Sequence, residues 1–144
     1  MAAPEGPRIS ADEFNERARG FLPGYLGVDV LNVEQGRVTG RMKLERHHLA
    51  PNGFLHGGSV VAFADTLCGA ATIAHLPEGA QGFTTIELKT NFFGTLVEGV
   101  LFGEAAAQHL GRSTQVWDVR VYEDGRPRTL ALFRCTNMIL YPGP

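Results

Sequence analysis

The chain has 144 residues, a length that suits one domain with a substantial core and leaves no room for a separate cofactor domain. Its hydrophobic content of 44% and charged content of 19% are those of an ordinary globular protein. The formal net charge is −2 and no basic run occurs, so nucleic acid is not expected as a partner. The first residues carry no apolar secretory core, and a cytoplasmic location is therefore expected.

Two regions are expected, namely a tail with a short helix over residues 1–25 and the main domain over residues 26–144. Ser10 and Glu13 have the spacing of a capping box, which predicts the start of that short helix. The sequence Pro23-Gly24 predicts a break after it.

From Leu26 the apolar residues recur with a period of two, which is typical of β-strands. Residues 26–33 and 37–45 predict two strands joined by a tight turn. In the second strand, one face carries the apolar residues Val38, Met42 and Leu44, and the other face carries polar residues. We therefore expect an antiparallel sheet with one covered and one wet face.

Adjacent histidines, His47 and His48, follow the second strand. On a strand such neighbours point to opposite faces and cannot bind one metal ion together, so a loop or strand-end role is expected. Cys68 and Cys135 have neither metal nor disulfide spacing and are interpreted as buried thiols. No metal site is expected.

After residue 80 the chain is strand-like to its end. The predicted strands cover residues 82–93, 98–110, 113–123 and 128–140, separated by turn signals such as Asp124-Gly125. In the first of them, Thr84, Ile86 and Leu88 are expected to lie on the face opposite Thr85. The economical architecture is an α+β fold in which an antiparallel sheet of five to six strands wraps around one long central helix.

That central helix is predicted by the stretch from Val60 to Ala74, in which nearly every residue is apolar or small. No face of it is polar, so we expect it to be buried on all sides. The apolar run of about 15 residues is short of the roughly 20 that a membrane span requires, and membrane insertion is not expected.

Asp65 lies in the middle of this predicted helix. A lone buried carboxylate costs several kcal/mol unless it is paired or solvated, so either Thr66 or nearby backbone satisfies Asp65, or the residue has a chemical role.

The sequence His56-Gly57-Gly58-Ser59 immediately precedes the apolar run and predicts the start of the helix. Glycine lets a ligand approach the backbone closely, and the first turn of a helix has amide groups without intrahelical acceptors. Gly57, with Gly58 beside it, is therefore a candidate donor to an oxyanion, a contact whose loss typically costs about 3 kcal/mol of barrier. A simple tight turn into the helix is the alternative.

Gly57 and Asp65 are eight residues apart, which is about 12 Å along a helix axis. That distance is too long for both residues to contact one reacting carbon atom. Two antiparallel helices related by a two-fold axis would bring Gly57 of one copy beside Asp65 of the other. If the two residues cooperate, the protein is therefore expected to be a homodimer.

The order of hairpin, helix and antiparallel strands, with His56-Gly57-Gly58 followed by Ala64-Asp65, resembles the hotdog-fold acyl-CoA thioesterases of the phenylacetate-degradation (PaaI-like) group. The resemblance extends over residues 26–140. It implies hydrolysis of acyl-CoA thioesters by a homodimer or a homotetramer. Coenzyme A would then be part of the substrate, and no separate cofactor is implied.

The resemblance also implies catalytic roles. Asp65 would act as general base or nucleophile, the Gly57 amide as donor to the thioester oxygen, and His56 as the residue that shapes this loop. Thr85 falls where relatives carry a Ser or Thr that orients the water or the carboxylate. Because the helix is apolar, a hydrogen bond from a residue such as Thr85 would help to keep Asp65 ionised.

For substrate binding, the resemblance assigns Arg112 and Ser113 to a turn that contacts coenzyme A, and an Arg fork suits phosphate. Relatives commonly carry an Asn six residues before the His, where this chain has Ala50, so Asn52 is the candidate replacement. An aromatic or a short to medium-length acyl group is expected, because the candidate pocket residues are Phe54, Leu55, Phe63 and Phe92.

Two other functions remain open at this point. A hydratase or dehydratase of the same fold would use His56 and Asp65 together as an acid and base pair. A non-catalytic acyl-CoA-binding module would instead contain Asp65 as a structural residue.

Overall fold

The structure, a computed structural model, describes residues 6–126 and 128–144. Across these residues the chain forms three α-helices, namely α1 (Ala11–Ala18), α2 (Leu22–Leu26) and α3 (Gly57–Ala74). It also forms six strands, namely β1 (Val28–Glu34), β2 (Arg37–Lys43), β3 (Gly82–Phe92), β4 (Val100–Leu110), β5 (Thr114–Glu123) and β6 (Thr129–Leu140).

The strands form one antiparallel sheet in the order β1-β2-β4-β5-β6-β3. The sheet curls around α3, which contacts all six strands. This confirms the expected α+β architecture. Two strands, β1 and β3, form the edges of the sheet, and β3 is the edge strand that follows α3 along the chain.

A pair of glycines lets α3 approach the sheet closely. Gly40 of β2 is the register partner of Gly103 of β4. A Cβ atom at Gly40 would lie 2.5 Å from the Leu67 side chain, and one at Gly103 would lie 2.6 Å from it. The two glycines therefore leave a depression on the inner sheet face, which the fully buried Leu67 fills.

One stripe of α3 is not covered by the sheet. The partly exposed residues recur every three or four positions, as one helix face requires, and they are Val61, Ala62, Asp65, Thr66, Gly69 and Ile73. Within the single chain α3 is therefore not buried on all sides, because one curled sheet covers only one side of a helix, and complete burial stays a prediction for the dimer. With 18 residues and a mean hydropathy of 1.3, α3 meets the length and hydropathy limits of a membrane span, but half of it is buried in this fold.

Edge strand β3 departs from the predicted alternation. Its register with β6 shifts between Thr85 and Glu87, so Ile86 is an extra, bulged residue. Beyond the bulge Leu88 pairs with the buried Cys135 and lies on the inner face, as Thr85 does. The expectation that Leu88 and Thr85 lie on opposite faces is therefore wrong.

The N-terminal segment packs on the sheet. The capping box of Ser10 and Glu13 is present and starts α1, as predicted. Pro23 does not simply end the helical region, because it lies in the first turn of α2, where a missing N–H group is harmless. Gly27 ends α2 with a φ of 74°. The first five residues of the predicted tail lie outside the described part of the chain.

Cys68 and Cys135 are buried free thiols, as predicted. They lie on α3 and β6, which face each other in the core. Burial raises the pKa of the Cys68 thiol, so this side chain stays protonated and unreactive at neutral pH.

Candidate active site

The start of α3 is capped by a side chain of its own sequence motif. The His56 ring accepts a hydrogen bond at Nδ1 from the Gly58 N–H, at 2.7 Å. The His56 carbonyl accepts from the Ser59 N–H, at 3.0 Å. No acceptor among the described residues takes the Gly57 N–H. This amide lies at the positive end of the helix dipole and can donate to an incoming oxygen.

Both glycines of the motif have a steric reason to be glycine. A Cβ atom at Gly57 would lie 3.3 Å from the Phe92 ring, which packs against this backbone. A Cβ atom at Gly58 would lie 2.9 Å from the capping Nδ1 of His56. The two glycines therefore allow the cap to form and keep the Gly57 amide accessible beside an aromatic ring.

Asp65 lies on the partly exposed stripe of α3. Its carboxylate has no hydrogen-bond partner among the residues that the structure describes. The Thr66 hydroxyl, considered above as a structural partner, instead donates to the Ala62 carbonyl at 2.7 Å. Burial raises the pKa of Asp65 above its ordinary value. An unpartnered carboxylate of raised basicity suits proton abstraction better than a structural role.

Thr85 does not contact Asp65 within one chain. Its hydroxyl donates to the Asn137 side-chain oxygen at 2.9 Å, and the Asn137 amide donates to the Thr72 hydroxyl at 2.7 Å. Thr72 lies seven residues beyond Asp65, which is about 10 Å along the helix. The expected hydrogen bond from Thr85 to Asp65 is thus absent from the single chain, because Asn137 on the neighbouring strand β6 takes the hydroxyl.

The predicted acyl-pocket residues separate into two groups. Phe54 and Phe92 each expose 51% of their surface, and Leu55 is half-buried in the loop that leads to α3. Phe63, in contrast, is fully buried and packs beneath Gly103. The expectation that Phe63 lines an open pocket is not met in the single chain, since its position on α3 faces the sheet.

In the loop before α3, the Asn52 side chain forms a hydrogen bond within the loop itself. Asn52, the candidate replacement for the Asn of relatives, is exposed at the turn and accepts at Oδ1 from the Phe54 N–H, at 3.2 Å. Gly53 beside it has a φ of 87°, as the predicted turn requires. Within the single chain Asn52 therefore shapes the loop, and its side-chain carbonyl is already engaged.

Arg112 and Ser113 lie at the turn between β4 and β5, as predicted. The Arg112 guanidinium lies over the Tyr141 ring, 5.6 Å from its centroid, and the Tyr141 hydroxyl donates to the Arg112 carbonyl. This turn borders a cavity of about 550 Å³ whose walls include Ala74, Pro77, Leu110 and Tyr141. The cavity adjoins the C-terminal end of α3, about 25 Å along the helix from Gly57.

One buried residue near the site is not identified as functional by its sequence pattern. His48 lies in a 3₁₀ turn, Arg46–His48, in agreement with the expected loop position, and its side chain is fully buried. Its carbonyl accepts hydrogen bonds from the His56 N–H and from the Ser59 hydroxyl. The neighbouring His47 is exposed, and a His-His pair alone gives no sign of this difference.

Comparison with known proteins identifies the fold and the family. Residues 52–129 match the family model described as the Thioesterase superfamily. The 1,4-dihydroxy-2-naphthoyl-CoA hydrolase of Listeria monocytogenes is 30% identical over 117 residues, which cover 80% of this chain and 92% of that protein.

Two solved structures share the architecture. A mutant of the thioesterase PA1618 from Pseudomonas aeruginosa superposes with a TM-score of 0.86 at 26% identity, covering 92% of this chain and 95% of that one. The Escherichia coli PaaI protein of the phenylacetic acid degradation operon superposes with a TM-score of 0.74 at 23% identity, covering 82% and 83%. The predicted hotdog fold is thereby confirmed. Because the family model covers more than half of the chain, this protein is a thioesterase and belongs to the Thioesterase superfamily.

Proposed function

We propose that the protein hydrolyses acyl-CoA thioesters to a free acid and coenzyme A, at a site formed by two subunits. The observation that supports this most directly is a pair of unpartnered groups on one helix. The Gly57 N–H and the Asp65 carboxylate both lack a hydrogen-bond partner among the described residues. One group is a donor for a developing oxyanion and the other is a base, which are the two functions that thioester hydrolysis needs.

In the proposed reaction, the thioester carbonyl oxygen accepts a hydrogen bond from the Gly57 N–H of one subunit. Asp65 of the other subunit removes a proton from a water molecule whose oxygen attacks the carbonyl carbon. The tetrahedral oxyanion that forms is stabilised by the Gly57 amide. The oxyanion then re-forms the carbonyl, the carbon–sulfur bond breaks, and coenzyme A leaves as a thiolate. Direct attack by Asp65, followed by hydrolysis of the resulting anhydride, is the other form of this mechanism.

A second copy of the chain would complete the burial of two uncovered surfaces. One is the partly exposed stripe of α3, and the other is edge strand β3, where Ile86 is 56% exposed. These surfaces adjoin, because a Cβ atom at Gly69 of the stripe would lie 3.5 Å from Phe83 of β3. Antiparallel packing of two α3 helices across a two-fold axis would cover both surfaces, giving a homodimer or a homotetramer of two such dimers.

An aromatic or a short to medium-length acyl group fits the surroundings of Gly57. The Phe92 ring packs against the Gly57 backbone, and Phe54 is exposed on the loop that leads to α3. The relative from Listeria monocytogenes is named for an aromatic acyl group, the 1,4-dihydroxy-2-naphthoyl group. Aromatic side chains at the entrance of the site suit such a group through stacking.

For the coenzyme A part of the substrate, we propose contacts with Arg112 and Ser113. Both residues lie at an exposed turn beside the cavity at the C-terminal end of α3. That end is about 13 Å beyond Asp65 along the helix axis, a distance that an extended pantetheine arm spans. The Arg112 guanidinium can then bind phosphate. We also expect a cytoplasmic location, with which the free thiols of Cys68 and Cys135 agree.

The test is a panel of aromatic, short-chain and medium-chain acyl-CoA thioesters, with free thiol release measured for each. The proposal predicts saturable hydrolysis of at least one class. Binding of the thioesters without thiol release would favour the non-catalytic module. Addition of water to an enoyl thioester, with the thioester bond intact, would favour the hydratase.

A further inference from the structure

His48 connects the end of α2 and the turn after β2 to the start of α3. The side chain is fully buried, in the turn that follows β2. Through its ring it contacts Leu26 at the end of α2 and Glu45 at the start of its own turn, and through its backbone it contacts the first turn of α3. Such a residue can fix the position of the turn that presents the Gly57 amide.

The two ring nitrogens of His48 have different partners. Nδ1 accepts a hydrogen bond from the Glu45 N–H at 2.9 Å. Because Nδ1 is an acceptor, the ring proton is on Nε2, which lies 2.8 Å from the Leu26 carbonyl and donates to it. A neutral ring in one tautomer therefore satisfies both contacts.

The backbone carbonyl of His48 holds the segment that carries Gly57. It accepts from the His56 N–H at 3.0 Å and from the Ser59 hydroxyl at 2.8 Å. His56 and Ser59 lie on either side of Gly57 and Gly58, so these two bonds fix the turn from both ends. The orientation of the unpartnered Gly57 N–H depends on that turn.

We propose that His48 is a positioning residue for the reaction, whose buried ring and carbonyl together set the direction of the Gly57 amide. This inference rests on the proposed function, in which Gly57 donates to the thioester oxygen. His48 itself does not touch the substrate. Its loss should reduce transition-state stabilisation, because a displacement of about 1 Å in a catalytic group can cost about a hundredfold in rate.

The variant His48→Leu removes both ring hydrogen bonds and replaces the ring with an apolar side chain of similar size. We expect kcat to fall by about ten- to a hundredfold with KM changed less than about threefold, because the lost interaction acts in the transition state. His48→Asn places its side-chain oxygen near the position of Nδ1 and keeps the acceptor for the Glu45 N–H. We expect His48→Asn to retain more of kcat than His48→Leu.

His75 provides a matched control at the other end of α3. It is also buried, it accepts at Nε2 from the Gly36 N–H at 2.8 Å, and its Nδ1 donates to the Ala71 carbonyl at 2.7 Å. His75→Leu should therefore lower Tm about as much as His48→Leu does, through loss of the same kinds of contacts. At a temperature where all variants are folded, we expect kcat to fall only for the His48 variants. An equal fall in kcat for His75→Leu, or unchanged kcat in His48→Leu, would overturn the proposal.

A second readout separates this proposal from the proposed function. In ¹⁵N–¹H spectra, His48→Leu should shift the amide resonances of Gly57 and Gly58, and His75→Leu should leave them unchanged. If the wild-type protein hydrolyses no thioester of the panel, the proposed function fails, but these spectra still decide whether His48 sets the Gly57 amide. Unchanged Gly57 and Gly58 resonances in His48→Leu would refute the positioning role.

Discussion

Among single residues, Gly57 and Asp65 are set apart because the N–H of one and the carboxylate of the other have no hydrogen-bond partner in residues 6–126 and 128–144. The neighbouring Gly58 amide is used by the His56 cap, and the neighbouring Thr66 hydroxyl is used by the Ala62 carbonyl. The Gly57 amide and the Asp65 carboxylate thus remain available to a substrate and a water molecule. Each can be removed with little change to the helix, which makes their roles testable.

A proline at Gly57 removes the proposed oxyanion donor selectively. Gly57 is the first residue of α3, where proline is favoured, and His56 before it is extended with a ψ of 132°, which a following proline permits. Gly57→Ala is the matched control, because it adds a Cβ atom at the same distance from Phe92 but keeps the N–H group. We expect kcat of Gly57→Pro to be lower than that of Gly57→Ala by about a hundredfold, measured by thiol release. Equal kcat values for the two variants would remove the Gly57 amide from the mechanism.

Replacing Asp65 by Asn should separate activity from stability. Burial raises the pKa of Asp65, so ionisation of this carboxyl group at neutral pH disfavours the folded state. The contribution of the uncharged carboxyl group to the stability of the fold is complete below the ordinary pKa and is lost as pH rises through the raised pKa. Asp65→Asn should therefore raise Tm at neutral pH and lower kcat by at least about a hundredfold. Asp118→Asn, on the outer sheet face where Asp118 pairs with Arg134, is the control and should leave kcat unchanged. Undiminished turnover in Asp65→Asn would count against a catalytic Asp65.

The sequence identifies Gly57 and Asp65 as candidate site residues because their signals are local. A cap, two glycines and one acid in an apolar helix can be recognised without knowledge of the tertiary structure. The partner of Thr85 could not be predicted in this way, since Asn137 is 52 residues further along the chain and reaches Thr85 only through strand pairing. The importance of His48 was missed for the same reason, because Leu26 and Ser59 meet it only in the folded chain.

At the scale of the elements, the close approach of α3 to the sheet decides where Asp65 lies. Leu67 fills the depression left by Gly40 and Gly103, and this fixes the rotation of the helix about its axis. Asp65, two residues earlier, is consequently turned toward the stripe that the sheet leaves uncovered. Helical periodicity predicts which residues share a face, but it does not predict which face a single sheet covers.

The substitution Gly103→Ala tests this contact. Its Cβ atom would lie 2.6 Å from Leu67 and 2.8 Å from Phe63, so we expect a loss of about 1–3 kcal/mol in the free energy of unfolding. Leu67→Ala alone should also destabilise the fold, by about 2–5 kcal/mol, because it leaves a cavity. The double variant should be more stable than the sum of the two losses predicts, as measured by urea denaturation. Simple additivity would show that the glycine does not serve the close approach of Leu67.

Strand β3 shows a second limit of periodicity. The bulge at Ile86 places Leu88 on the face opposite to that predicted by strict alternation. A single extra residue changes the face of every residue that follows it, and no turn residue marks the bulge in the sequence. The proposed dimer would cover the exposed apolar residues of β3.

Across the molecule, two buried histidines link the ends of α3 to turns that border β2, and both are neutral at neutral pH. Burial lowers the pKa of His48 and of His75 below the ordinary value of 6.5. Each ring accepts an amide hydrogen bond that a protonated ring could not accept. The stability that they contribute is complete above the pKa of the unfolded histidine and is lost as pH falls through the lowered folded values.

Acidification should therefore remove the stability that the two histidines contribute, whereas protonation of Asp65 acts in the opposite direction. In Asp65→Asn, where the opposing change is absent, we expect the free energy of unfolding to fall between about pH 7 and pH 5, as the unfolded state takes up protons that His48 and His75 exclude in the folded state. Denaturant titrations at several pH values measure this slope. In His75→Gln the slope should be smaller, and an identical slope would show that His75 does not contribute to it.

We propose that each active site combines Gly57 of one subunit with Asp65 of another, and subunit mixing tests this arrangement most directly. Gly57→Pro and Asp65→Asn homodimers should each be nearly inactive. After the two variants are unfolded together and refolded as an equal mixture, half of the dimers are heterodimers, and each contains one intact site. The mixture should then recover about a quarter of wild-type kcat. No recovery, in a mixture that is shown to contain heterodimers, would contradict a site shared between subunits.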